Sequence, residues 1–210
     1  MDEVFYGIYQ ICRWRSRPPI FCCLNQGMPN WDMSGRFVEI SGPCNKTDLV
    51  LKIATSAISS GQKNEVLVLD CDSGFKMDRI LKSIDPKDFV RLRLFRIFDW
   101  DEYQMALAVL PELLFQTPQL NMIVIDGLSN PYLIQDQKKQ HGGVTQQIFR
   151  ILSILEPYNI TCVITVPKPC GGDVEFSKIK PIRISTSSDN TKCFVQDPSN
   201  IVAFEMNLAS

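Results

Sequence analysis

Apolar positions along the chain come in two kinds, short unbroken runs and longer stretches at helical spacing, and the two alternate. Phe37 to Ile40 is a short run that enters the turn Ser41-Gly42-Pro43 and predicts a strand. From Thr47 to Ser60, the residues Leu49, Val50, Ile53, Ala54, Ala57 and Ile58 fall on one helical face. Val66 to Leu69 is uninterrupted and ends at Asp70, the pattern of a strand covered by helices on both sides. Arg91 to Ile97 alternates arginine with leucine and reads as a half-exposed strand. Asp101 to Gln116 follows, with Leu107, Leu110 and Leu114 at helical spacing, and Pro111 is expected to kink or divide that helix. Met122 to Ile125 repeats the buried-strand pattern and ends at Asp126; Gln146 to Leu155 then reads as a helix and Thr161 to Val166 as a strand.

Four strand-to-helix steps predict a mostly parallel sheet with helices on both faces, so the fold class is α/β. Pro181 to Asn207 has no helical period and predicts antiparallel strands that extend the sheet. Residues 1–35, broken by Arg13-Trp14-Arg15-Ser16-Arg17-Pro18-Pro19, read as an N-terminal arm, and 36–210 as one core domain.

Composition narrows the function classes. With 22 Lys+Arg against 23 Asp+Glu the formal net charge is -1, so no global field draws the chain to a phosphate backbone; nucleic-acid contact must come from local patches. Eight cysteines without a CxxC, beside the single His141, suggest neither a disulfide scaffold nor a zinc site; scattered thiols without a base partner read as inert. Nothing resembles a secretory signal, and no apolar stretch approaches the roughly 20 residues a bilayer needs. Cytosol or nucleus, with reduced thiols and no membrane partner, is the expectation.

In open α/β sheets ligands sit at the carboxyl ends of strands, which points to the turn Ser41 to Thr47. A phosphate-binding P-loop, G-x-x-x-x-G-K-[ST], wraps successive backbone N–H groups around a phosphate before its lysine and hydroxyl arrive. Here Lys46 and Thr47 keep that order, but Gly42 to Lys46 is four steps where the pattern has six. Asn45 replaces the second glycine, and Pro43 offers no N–H. Either Lys46 still holds a nucleotide at the helix N-terminus, or it is a remnant that is solvated or paired with a carboxylate. Asp126 is placed like a Walker B acid that holds Mg²⁺ through water. Asp72, just beyond the second buried strand, is placed to orient an attacking water; the plainer reading of Asp70 and Asp72 is a strand-end turn.

The order of segments resembles the ATPase core of eukaryotic RecA-like recombinases and their paralogues. The resemblance rests on Phe37-Val38-Glu39-Ile40-Ser41-Gly42-Pro43 with Asn45-Lys46-Thr47, and more specifically on Leu67-Val68-Leu69-Asp70-Cys71-Asp72-Ser73-Gly74-Phe75-Lys76-Met77-Asp78-Arg79-Ile80. Arg96-Ile97-Phe98, Asp126, Ile164-Thr165 and Ala203-Phe204-Glu205-Met206 follow in the family's order, covering about Arg36 to Asn207. The departures are the short P-loop, Ile164-Thr165-Val166-Pro167 where the family often has a phosphate-sensing Gln, and the lack of an N-terminal helical DNA-binding domain or a clear Phe-x-x-Ala strand.

The resemblance implies a small, core-only paralogue that does not polymerise by itself, hydrolyses no ATP and needs no cofactor. It implies pairing with another paralogue in the nucleus, and stabilising or remodelling recombinase filaments on single-stranded DNA during homologous recombination. The alternative in the same family is a DNA-stimulated ATPase completed by its partner; a small nucleotide kinase would need an intact cradle and an Arg-bearing lid, and the sequence shows neither. By family position the DNA-facing loops are Asn130 to Gly143, with Lys138, Lys139 and His141, and Lys168 to Arg183, with Lys168, Lys178, Lys180 and Arg183. Partner contact is expected at Arg13, Trp14 and Arg15, with apolar help from Phe21-Cys22-Cys23-Leu24 and with Asp126 organising the presented surface.

Overall fold

The computed structural model describes residues 21–22, 31–43, 46–61, 63–131, 144–167, 182–186, 192–197 and 202–207. Its strands are β1 (Phe21–Cys22), β2 (Trp31–Asp32), β3 (Phe37–Ser41), β4 (Glu65–Asp70), β5 (Leu92–Arg96), β6 (Leu120–Asp126), β7 (Thr161–Val166), β8 (Ile182–Thr186), β9 (Lys192–Asp197) and β10 (Val202–Asn207). Its helices are α1 (Lys46–Ser59), α2 (Met77–Ser83), α3 (Trp100–Gln116) and α4 (Val144–Leu155).

The main sheet has eight strands in the order β10-β9-β8-β3-β7-β6-β4-β5. Every pairing from β8 across to β5 is parallel. The architecture is α/β, with the layout of a RecA-like core. Antiparallel pairing is confined to β8 with β9 and β9 with β10. The expectation that all of 181–207 is antiparallel therefore needs correction at β8, which runs parallel to β3. A period-2 pattern fixes which side chains share a face; it carries no information on strand direction.

The unbroken apolar runs follow from burial on both faces. Val66 and Val68 join Val38, Ile40, Val124 and Ile184 in one core layer under α1 and α2. Leu67 and Leu69 join Phe37, Ile123, Ile125 and Ile164 in the other, under α3 and α4. Each fully buried aliphatic side chain stabilises the fold by about 1.5–3 kcal/mol relative to exposure.

α3 starts where its sequence says it should. Asp99 caps it, accepting from the Glu102 N–H at 2.8 Å, while the Glu102 carboxylate accepts from the Phe98 N–H at 2.7 Å. The helix runs undivided from Trp100 to Gln116 despite Pro111. Pro111 itself is exposed, and Leu107, Leu110 and Leu114 still form one buried stripe, so the packing of that stripe outweighs the one helical bond that Pro111 cannot make.

The described residues just before β3 are tied to the core. Met33 is buried, its carbonyl accepts from the Thr161 hydroxyl at 2.5 Å, and the short β1-β2 pair lies beside α1.

Candidate functional site

Three strand ends converge on one polar cluster. β3 ends at Ser41, followed by Gly42 with φ +127. A Cβ at Gly42 would stand 2.2 Å from the Thr186 Oγ1 and 2.7 Å from the Thr186 carbonyl oxygen, so the turn lies flush against β8 and only glycine fits. Across the turn, Lys46 donates from Nζ to the Gly42 carbonyl oxygen at 2.8 Å. Lys46 is thus engaged within its own loop, on a carbonyl rather than on a carboxylate or in free solution.

Thr47, in the first turn of α1, donates its hydroxyl to Asp126 Oδ2 at 2.7 Å. The other oxygen of Asp126 accepts from the Thr165 hydroxyl at 2.6 Å, and Thr165 Oγ1 accepts from the Gly127 N–H at 2.7 Å. Asp126 is 1% exposed, so this carboxyl joins α1, β6 and β7 from inside the fold. Burial pushes its pKa up; the two hydroxyl bonds oppose that rise, and the neighbouring Asp70 and Asp72 add to it.

Asp70, fully buried at the end of β4, accepts from the N–H groups of Gly74 and Phe75 at 3.1 and 3.3 Å, and Arg96 Nε lies 3.9 Å away. It therefore shapes the turn after β4. Gly74 in turn packs on Thr47, since a Cβ there would come within 2.7 Å of its hydroxyl. Asp72 is exposed and accepts from the Asn130 side-chain amide at 2.6 Å. Cys71, between the two acids, has its thiol pushed up to about 12, first by burial and then by Asp70, Asp126 and Asp72, which leaves it protonated and unreactive.

The residues singled out in the sequence divide into three groups. Gly42, Lys46, Thr47, Asp72 and Asp126 are brought together. Arg183 stands on β8, half-buried, in register between Glu39 and Gln196, with no hydrogen bond to its Nε; it is a strand residue, not part of an exposed loop. Arg13, Trp14, Arg15, Lys138, Lys139, Lys168, Lys178 and Lys180 lie outside the described residues, and of Phe21 only the backbone strand is described.

Two features escaped the sequence reading. Thr165 is the second ligand of Asp126, signalled only by a hydroxyl in the apolar run Cys162 to Val166, on the strand beside Asp126. A run of exposed apolar side chains also follows the sheet edge: Phe95 at 52%, Phe98 at 61%, Met105 at 69% and Val109 at 58%. Phe95 is in register with Leu69 on the terminal strand β5, hence on the face that α3 covers, and Met105 and Val109 are one turn apart on α3.

Tested against Mg²⁺ and a triphosphate, the cluster fits in part. The Thr47 hydroxyl and Asp126 are the donor types a magnesium ion takes, directly or through water. The phosphate cradle is not matched: the turn is two residues shorter than the P-loop pattern, and Pro43 supplies no N–H. Among the described residues no group of three or more His, Cys, Asp or Glu side chains is arranged to hold a metal ion.

The chain is similar to two archaeal proteins, each named DNA repair and recombination protein RadB. The protein of Thermococcus sibiricus is 21% identical over 140 residues, which is 62% of this chain and 58% of the relative. That of Thermoplasma acidophilum is 25% identical over 145 residues, 68% of this chain and 61% of the relative. The chain thus spans about three fifths of the length of each relative. No family model matches it.

Proposed function

We propose that this chain is a non-catalytic RecA-like accessory protein of DNA repair and recombination. It pairs with another recombinase paralogue and acts, through that complex, on recombinase filaments on single-stranded DNA in the nucleus. The names of the two relatives support the repair and recombination role. The non-catalytic reading rests on one observation: Lys46 Nζ is bonded back to the Gly42 carbonyl across a turn with too few amides to enclose a phosphate. The exposed Phe95, Phe98, Met105 and Val109 support pairing, because exposed apolar side chains near a strand that is terminal among the described residues suit a surface that another chain covers.

The second reading, an ATPase completed by its partner, draws on Thr47 and Asp126 standing in place. The two separate on one substitution. Lys46→Ala should leave partner co-purification and repair activity in cells unchanged; loss of activity with fold and partner binding intact selects the second reading.

A further inference from the structure

We propose that the groove between α1 and α2 is a docking site for an acidic segment of a partner protein that carries a large apolar side chain. The inference goes beyond the function proposed above and does not depend on it.

The groove encloses about 320 Å³ and is lined by Leu49 and Leu51, both nearly buried, and by Lys52, Arg79 and Lys82, whose methylene stems add apolar surface, with Asp48 as its one acid. Three cations against one carboxylate give it a local surplus that the chain as a whole, at -1, does not have. Arg79 pairs with Asp48 at 2.5 Å across the two helices, both side chains about half exposed. Among the described residues, Lys52 and Lys82 take part in no ion pair. A carboxylate entering the groove therefore meets two unpaired ammonium groups beside a mostly apolar lining.

That combination selects among ligands. A nucleic-acid strand needs stacking platforms and a track for its backbone, and the lining offers no aromatic ring and room for only a side chain or two. A free small anion leaves the apolar part of the lining unused. An acidic peptide with an apolar anchor uses both parts, the anchor supplying affinity and the carboxylates register and encounter rate.

The test uses the full chain and a fluorescein-labelled peptide of alternating glutamate and leucine, followed by anisotropy. Saturable binding is expected, weakening as salt rises. Binding should fall at least about tenfold in the double variant Lys52→Glu/Lys82→Glu, and by less in Lys52→Gln/Lys82→Gln. The neutral pair guards against misfolding in the charge-reversed one; both should melt like the parent. Peptides with glutamine for glutamate, or serine for leucine, should bind at least about tenfold more weakly. Any of four results overturns the proposal: no binding up to about 1 mM peptide, equal binding by parent and variants, preferential binding of an oligothymidylate lost in the same variants, or salt-sensitive self-association of the chain through these lysines.

Discussion

Asp126 has both carboxyl oxygens taken by threonine hydroxyls and almost none of its surface in water. Its folded pKa is raised, so between the unfolded carboxylate value near 4 and the folded one the native state holds a proton that the unfolded state has released. This group's contribution to stability must therefore fall as pH rises through that window, and level off above the folded pKa. Asp126→Asn should remove the slope: its stability relative to the parent rises with pH from about pH 4 and levels off above the folded pKa. Denaturant melts of both proteins across that range check the sign; a variant-minus-parent difference that stays flat or falls over the window contradicts it. Asp126 was visible in the sequence less through its own pattern, since an acid ending an apolar run is common, than through its place in order after Lys46 and Thr47. Thr165 was not, since its role depends on which strands lie side by side. The bond from Lys46 to Gly42 was equally hidden, because it depends on how the turn closes on itself.

Among the elements, those buried on two faces were the most legible. Unbroken runs at Val66 to Leu69 and Met122 to Ile125 became β4 and β6, and the leucine stripe became α3. α2 escaped because seven residues hold too little periodicity, and so did the two-residue strands β1 and β2. α3 presents two faces that predict opposite outcomes. Leu107 on its inner face is 1% exposed, so Leu107→Ala should lower stability by about 2–5 kcal/mol in a denaturant melt. Met105→Glu with Val109→Glu, on the outer face, should change the melt by no more than about 0.5 kcal/mol per substitution. Under the proposed pairing, the outer pair should nevertheless abolish co-purification with a recombinase paralogue, and retained co-purification would remove this face from the proposed interface. At the turn after β3, Gly42→Ala adds a methyl against Thr186 at φ +127, and should cost about 1–3 kcal/mol by the same melt.

For the molecule as a whole, the sequence order of strands and helices made a mostly parallel sheet legible, and with it the end of the sheet where Lys46, Thr47, Asp72 and Asp126 meet. It did not reveal the exposed apolar edge, because scattered phenylalanines and a methionine look like core until the topology makes β5 the last strand. The proposed reading, association rather than turnover, draws on the exposed apolar side chains near β5 and on the Lys46 ammonium bonded to the Gly42 carbonyl. The measurement that bears on this most directly is equilibrium binding of fluorescent Mg-ATP to the purified chain, beside Lys46→Ala. The account predicts no saturable binding up to about 1 mM nucleotide by either protein. Saturable micromolar binding by the parent, lost in Lys46→Ala, would contradict it.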